Sequence, residues 1–160
     1  MAARTIAGGA LVALLALGLA ACSDSGLTGN QKQNISSFKA NGNAICANAN
    51  SQIDAALAQA KANPALASPA AAKTFLVTVF IPIVEKELGD LHNLGEPTLD
   101  RASWDDVRGQ LDESLSNLKT TTDRDPVAAL RQVVSTSKGL STNGISQSFT
   151  AIGLTECAKH

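Results

Sequence analysis

The choice between an all-helical and a mixed fold rests on residues 68–94, SPAAAKTFLVTVFIPIVEKELGDLHNL. Ser68 is a preferred N-cap residue and Pro69 suits the first position of a helix, so a helix is predicted to begin here. The segment from Phe75 to Val84 is rich in β-branched and aromatic residues and is also compatible with a strand. Pro82 counts against a central strand, because it cannot donate to the ladder, and against a straight helix. The helical spacing of the flanking apolar residues predicts a kinked helix.

Outside this stretch, apolar residues at three- and four-residue steps predict three further helices. Their predicted bounds are Ser36–Ala62, Asp100–Thr120 and Asp125–Gly153. A polar turn at residues 120–124 separates the last two, and Gly139 and Gly144 predict a frayed centre or a break in the final one. Four helices with short loops predict an all-α fold, arranged as an antiparallel up-down four-helix bundle. The composition agrees, since alanine is abundant and the chain has four Phe, one Trp and no Tyr.

The first 22 residues have the three zones of a secretory signal: a positive charge at Arg4, an uncharged apolar stretch from Ile6 to Ala20, and small residues at its end. The last four residues of this segment, Leu19-Ala20-Ala21-Cys22, resemble the lipobox of bacterial lipoproteins at all four positions. In that family the cysteine receives a diacylglyceryl group, and a peptidase cleaves the chain before it. The resemblance implies that residues 1–21 are a lipoprotein signal peptide and that Cys22 is the lipid attachment site.

Two alternatives stay open for this N-terminal segment. A transmembrane helix needs about 20 apolar residues, and the run of about 15 found here is short for one. A plain secretory signal cut after Ala21 is the stronger rival, although only a lipobox requires the cysteine. Ser23, rather than an aspartate, follows Cys22, so the choice between inner and outer membrane also stays open.

Downstream of the signal, the sequence predicts a tether and one domain. Residues 22–34 are polar and contain glycine without an apolar period, which predicts a flexible tether. Residues 35–160 are predicted to form the helical domain. Once Arg4 is removed with the signal, 12 basic residues face 14 acidic ones, a balance of about −2. No basic stripe is present, which disfavours a nucleic-acid partner.

The chain has three cysteines, and acylation of Cys22 leaves Cys46 and Cys157 as an even pair. Outside the cytoplasm such a pair is expected to oxidise, whereas two separate buried thiols are the alternative. In an up-down bundle the end of the fourth helix returns to the beginning of the first, so a Cys46–Cys157 bridge is geometrically reasonable. Chain-entropy arguments assign about 4.7 kcal/mol to the closure of a loop of about 110 residues.

The mature chain contains several distinctive short features, which are residues 43–50 (NAICANAN), Pro82, residues 91–97 (LHNLGEP), Trp104 and residues 151–157 (AIGLTEC). Together they resemble small helical lipoproteins of actinobacteria. Those chains share an early Asn-x-x-Cys helix, a Leu-x-x-Leu-x-x-Pro segment and a terminal Gly-Leu-x-x-Cys. This chain departs from the pattern at Ile152, where an aromatic residue often precedes the glycine, and at Glu96, where a second proline is common. The resemblance implies no activity.

The sequence offers little that could perform chemistry. His92 shares a segment with Glu85, Glu87 and Asp90, but residue 89 is glycine, so the Glu-x-x-His spacing of a di-metal bundle is missing. A surface histidine and solvated carboxylates are the favoured interpretation. No nucleophile elbow, phosphate-binding loop, dinucleotide fingerprint or zinc-ligand cluster is present. We therefore predict no catalytic residue, no metal site, no cofactor and no enzymatic activity.

Phe75, Phe80 and Trp104 have two interpretations. Core packing is favoured, and a pocket for an apolar ligand next to the kink at Pro82 is the alternative. The sequence as a whole predicts a lipid-anchored, extracytoplasmic interaction or structural module of the cell envelope. The alternative function is a binder of a small apolar or lipid-like ligand in the bundle core. A partner is expected at the loops farthest from the membrane, residues 64–69 and 120–126.

Overall fold

The computed structural model describes residues 29–97, 101–136 and 143–159, with side chains for residues 34–97, 101–136 and 144–159. Every regular element in these ranges is helical, which confirms the predicted all-α class. The α-helices are α1 (Gly29–Ala62), α2 (Pro69–Phe75), α3 (Ile81–His92), α4 (Arg101–Arg124), α5 (Pro126–Thr136) and α6 (Asn143–Ala151). Two short 3-10 turns lie at Pro64–Ala67 and Cys157–Lys159, and a π-helical turn lies at Leu76–Phe80.

The helix predicted to kink at Pro82 is one helical segment from α2 to α3 that contains the π-helical turn. Its start is capped as predicted, because Ser68 Oγ accepts a hydrogen bond from the Ala71 backbone N–H at 3.4 Å. In the π turn the Ile81 N–H donates to the Leu76 carbonyl, five residues back. Pro82 has no N–H, and its ring would clash with the carbonyl of Thr78 in a regular α-helix. The wider turn directly before Pro82 accommodates both effects.

Two predicted bounds are corrected by the structure. α1 begins at Gly29 rather than Ser36, so residues 29–34, which were predicted as flexible tether, continue the helix. No proline interrupts this segment, and its Gln and Lys residues are good helix formers.

The second correction concerns residues 120–124, which were predicted as a polar turn. They form the last turn of α4 instead. The change of direction is confined to Asp125, whose carboxylate accepts a hydrogen bond from Ala128 N–H at 2.9 Å and caps α5. Pro126 then occupies the first position of α5, as predicted.

α5 and α6 lie within the helix predicted from Asp125 to Gly153. Residues 137–142, which include Gly139, lie outside the described ranges, so the predicted frayed centre or break stays a prediction. α6 ends at Ala151, and Gly153, which has φ of 82°, follows two residues later. Leu154 N–H donates to Phe149 O at 2.8 Å and Gly153 N–H to Thr150 O at 3.1 Å, which is the Schellman pattern of a glycine-terminated helix.

The helices pack around one apolar core. α3 packs against α1 and α4, while α5 packs against α2 and α4. α6 packs against α4 and the C-terminal 3-10 turn, and that turn lies on α1. Two polar contacts join α3 to α4 in antiparallel order: the ion pair of Glu85 with Lys119 at 2.6 Å, and the contact of His92 Nε2 with the Asp112 carboxylate at 3.5 Å. Every helix contributes side chains to a single buried cluster.

Candidate functional site

No group of three or more His, Cys, Asp or Glu side chains within the described ranges could hold a metal ion. His92 is exposed and lies against Asp112, as expected for a surface histidine. Glu85 pairs with Lys119, and Asp90 pairs with Lys86 at 2.5 Å. The acidic residues around His92 therefore serve separate surface ion pairs.

Glu87 is the exception among these carboxylates. It was predicted to be solvated, but the structure leaves it only partly exposed. It has no ion-pair partner among the described residues, and burial raises the pKa of its carboxyl from 4.5 to about 7. Desolvation disfavours the charged form of an acid, which explains the direction of the shift. A single carboxylate of this kind makes the free energy of unfolding depend on pH, but by itself it does not form a catalytic or metal site.

Near the middle of α1, the segment that follows α6 is held against this helix. The predicted Cys46–Cys157 disulfide is present, with the two Cα atoms 4.9 Å apart. The two cysteines are 0% and 4% exposed, so the bond is enclosed by the protein. The sulfur of Cys157 also lies 3.8 Å from the Gly42 carbonyl oxygen. The bridge is a structural one, buried where α1 meets the C-terminal 3-10 turn.

Two asparagines flank the disulfide on α1 and bind the same segment. Asn43 Nδ2 donates to Gly153 O at 3.1 Å, and Asn43 Oδ1 accepts from Glu156 N–H at 2.8 Å. Asn50 Nδ2 donates to Glu156 O at 2.8 Å. Residues 43, 46 and 50 share one helix face because they are three and four positions apart. We call these contacts, with the disulfide, the C-terminal clasp.

A close approach of two leucines to α1 completes the clasp. A Cβ atom on Gly42 would lie 2.6 Å from Leu154 Cδ2 and 3.1 Å from Leu94 Cδ2. Only glycine leaves room for both leucines here, and Leu154 is fully buried. Residues 42–50, 91–97 and 151–157, which include three of the short motifs noted in the sequence, therefore meet at one place. Sequence reasoning found the cysteines but missed the roles of Asn43 and Asn50, whose spacing from Cys46 was the available signal.

The aromatic residues considered for a ligand pocket belong to the core. Phe75, Phe80 and Trp104 are 5%, 0% and 0% exposed, in agreement with core packing. The ring of Trp104 meets that of Phe38 edge to face, with centroids 5.2 Å apart. Neither of two surface grooves found elsewhere is lined by these three residues. The smaller groove, about 250 Å³, is shallow and borders α6.

The larger groove lies at the C-terminal end of α1 and has a volume of about 710 Å³. We call it the distal groove, because it is remote from the clasp. Ala60 follows Cys46 by fourteen positions, which corresponds to about 21 Å along the helix axis. It is formed by the end of α1, the first 3-10 turn and α5. The residues that line it are Ala60, Asn63, Pro64, Leu66, Ala67, Val127, Leu130, Arg131, Gln132, Val134 and Ser135. Its location includes part of the 64–69 loop, where a partner was expected.

The polar side chains of the distal groove differ in what they offer a ligand. Asn63 Oδ1 accepts from Ala65 N–H at 3.1 Å, and Ser135 Oγ donates to Gln132 O at 3.0 Å. Arg131 is exposed and forms no hydrogen bond or ion pair with any residue that the structure describes. No acidic side chain is among the described residues that line the groove. Arg131 therefore gives the groove a positive charge, beside the uncharged side-chain amides of Gln132 and Asn63.

Comparisons with protein families, with curated proteins and with solved structures find no match to this chain. Within residues 29–97, 101–136 and 143–159, no helix is sufficiently long and apolar to cross a bilayer. The predicted signal peptide, lipobox and Cys22 lie outside the described ranges.

Proposed function

We propose that this protein is a lipid-anchored, extracytoplasmic binding module of the bacterial cell envelope, and that the distal groove is its binding site. The observation that carries the proposal is the groove itself. It is apolar along its floor, open to solvent, and within the range of about 300–1,000 Å³ typical of small-molecule sites. The lipobox at residues 19–22 supplies the anchor and the compartment. The buried disulfide is consistent with an oxidising compartment.

The geometry of α1 supports this arrangement. α1 begins at Gly29, seven residues after Cys22, and seven residues extend at most about 25 Å. The domain is thereby held close to the membrane at the start of α1, while the distal groove lies near the end of that helix. We also interpret the fold as an up-down four-helix bundle, in which the segment from α2 to α3 is the second helix and α5 with α6 forms the fourth. The antiparallel α3–α4 pair and the return of the clasp to α1 support that topology.

The anchor is tested by substitution of the predicted acylation site. Cys22→Ala should abolish labelling of the protein by an alkyne fatty acid in growing cells, because no other residue carries the lipobox chemistry. Ser23→Ala is the matched control and should leave the labelling unchanged. Labelling that persists in Cys22→Ala would refute the lipobox.

The groove is tested with a photo-crosslinking amino acid placed on its rim. We expect benzophenone at Gln132 to capture an envelope component that the same group at Asn117, an exposed position on α4, does not capture. A second substitution in the groove wall, Val134→Asp, should remove the product, because a charge disrupts an apolar contact surface. Identical products from Gln132 and Asn117, or a product that survives Val134→Asp, would contradict the proposed binding site.

A further inference from the structure

We infer that the distal groove binds an anionic amphiphile, a long-chain carboxylate whose acid group contacts Arg131 and whose alkyl chain lies on the apolar floor. The inference rests on the proposed function of the groove and adds the chemical class of its occupant. It depends on three features of the surface: the apolar floor, the engaged polar side chains, and the free guanidinium.

The floor of the groove is suited to an alkyl chain. Ala60, Leu66 and Leu130 are 7–8% exposed, and Val127 and Val134 are partly exposed at its sides. These side chains come from three elements, so the apolar surface is a furrow between them rather than one face of a single helix. An alkyl chain in this furrow removes apolar surface from water on both partners, at about 25 cal/mol for each Å².

The polar side chains favour an alkyl chain over a peptide segment. A peptide brings backbone N–H and C=O groups into the groove, and these groups need partners once they leave water. Asn63 Oδ1 and the Ser135 hydroxyl proton already engage the backbone of Ala65 and Gln132. An alkyl chain carries no such requirement. Apart from Arg131, the uncharged groups left for a ligand include the amides of Gln132 and Asn63, and the floor itself is apolar, so an alkyl chain fits it better than a polypeptide backbone.

The charge at the rim selects the head group. A guanidinium presents five donors and no acceptor, in a fork that matches the two oxygens of a carboxylate. Arg131 lines the groove without a partner among the described residues, and no carboxylate of the lining competes for it. An anionic head group is thus attracted to this rim, whereas a neutral one is not.

The experiment uses membranes that carry the full-length protein and two photoactivatable, clickable probes of equal chain length, a fatty acid and the corresponding fatty alcohol. Labelled tryptic peptides are mapped by mass spectrometry. In the wild type three peptides report on the groove, residues 62–73, 125–131 and 132–138, and the lipid on Cys22 falls in a different peptide. Arg131→Gln joins the last two as residues 125–138 and Arg124→Gln extends 125–131 to 120–131, so labelling is summed over the groove peptides in each variant. We expect the acid to label the groove peptides about tenfold more than the alcohol, since a charge-assisted hydrogen bond contributes roughly one such factor.

Arg131→Gln should remove the preference for the acid while leaving thermal unfolding unchanged, because the side chain is exposed. Arg124→Gln, an exposed arginine on α4 that does not line the groove, is the matched control and should keep the preference. Equal labelling of the groove by acid and alcohol in the wild type would overturn the inference and leave the proposed function standing. Capture of a protein from Gln132 with no acid labelling would do the same. Absence of both signals would overturn the inference and the proposed function together.

Discussion

Two asparagines on α1, Asn43 and Asn50, bind the C-terminal segment through their side-chain amides. The backbone groups that they bind are the carbonyl oxygens of Gly153 and Glu156 and the N–H of Glu156, in the segment that follows α6. Each such hydrogen bond contributes about 0.5–1.5 kcal/mol net, but an orphaned partner costs about 1–3 kcal/mol. Their main effect is to set the position of Cys157 opposite Cys46.

Glu87 gives the fold a pH dependence whose sign follows from its raised pKa. In the unfolded chain the carboxyl titrates at its ordinary pKa of 4.5, and in the folded protein burial raises that pKa to about 7. Between these values the unfolded state has released a proton that the folded state retains. The free energy of unfolding therefore has its full Glu87 contribution below pH 4.5 and loses it as the pH rises through 7.

We predict that Glu87→Gln stabilises the protein at pH 8 by on the order of 1–3 kcal/mol, because a neutral amide avoids the desolvated charge. Near pH 4 the two proteins should be equally stable. Urea unfolding from pH 4 to pH 8 measures both values. Glu85→Gln, at an exposed and ion-paired position on the same helix, is the control and should retain the wild-type slope. A Glu87→Gln variant with an unaltered pH slope would contradict the burial of this carboxyl.

At the scale of the elements, the junctions between helices depend on single residues. The π-helical turn at Leu76–Phe80 accommodates Pro82, which has no N–H to donate, and Asp125 is the one residue between α4 and α5. At the end of α6, the positive φ of Gly153 directs Leu154 toward Gly42 and the segment toward the clasp. The junctions therefore depend on the missing N–H of Pro82, the capping carboxylate of Asp125 and the positive φ of Gly153.

The glycine that ends α6 can be compared with a glycine inside α3. Gly153→Ala should lower the free energy of unfolding by about 1–2 kcal/mol, since an L-residue is strained at φ of 82°. Its Cβ would also lie 2.5 Å from Lys39 Cε, which must then move. Gly89→Ala is the matched control: its Cβ meets nothing within 4 Å, and the change should stabilise α3 by about 0.5–1 kcal/mol. Urea unfolding measures both, and a neutral Gly153→Ala would contradict the Schellman end.

At the scale of the whole molecule, the clasp joins the middle of α1 to the end of the described chain. The disulfide links residues 111 positions apart, and the hydrogen bonds of Asn43 and Asn50 lie on either side of it. The distal groove lies at the C-terminal end of α1. Because the proposed anchor precedes the start of α1, a groove at the opposite end of this helix suits a module that presents its site outward.

We predict that the double variant Cys46→Ala/Cys157→Ala unfolds at lower urea concentration, with a loss of about 2–5 kcal/mol. Because both sulfurs are enclosed, dithiothreitol should not reduce the folded protein at a measurable rate until urea opens it. Thiol titration with and without urea checks that expectation. Cys22→Ala is the control and should leave the unfolding midpoint unchanged. Rapid reduction of the native protein would show that the disulfide is accessible.

Much of the helical framework was predictable because its signals are local. Ser68-Pro69 and Asp125-Pro126 begin helices wherever the chain carries them, since a side-chain cap and a proline act on their own turn. Gly153 likewise ends α6 through its own backbone freedom. The cysteine pairing followed from an even count and from the return of the last helix to the first. The error at residues 29–34 arose because a polar segment without a breaker is equally compatible with a helix and a tether.

The distal groove, the burial of Glu87 and the roles of Asn43 and Asn50 required the three-dimensional arrangement. Each depends on which faces of distant helices meet: the groove joins Leu66 to Leu130, and Asn43 meets Glu156 more than a hundred residues away. The local helix propensity of a segment carries no information about which distant residues pack against it. Helix-capping and helix-terminating residues therefore specify where the helices begin and end, whereas the packing of the helix faces creates the surface on which a ligand can bind.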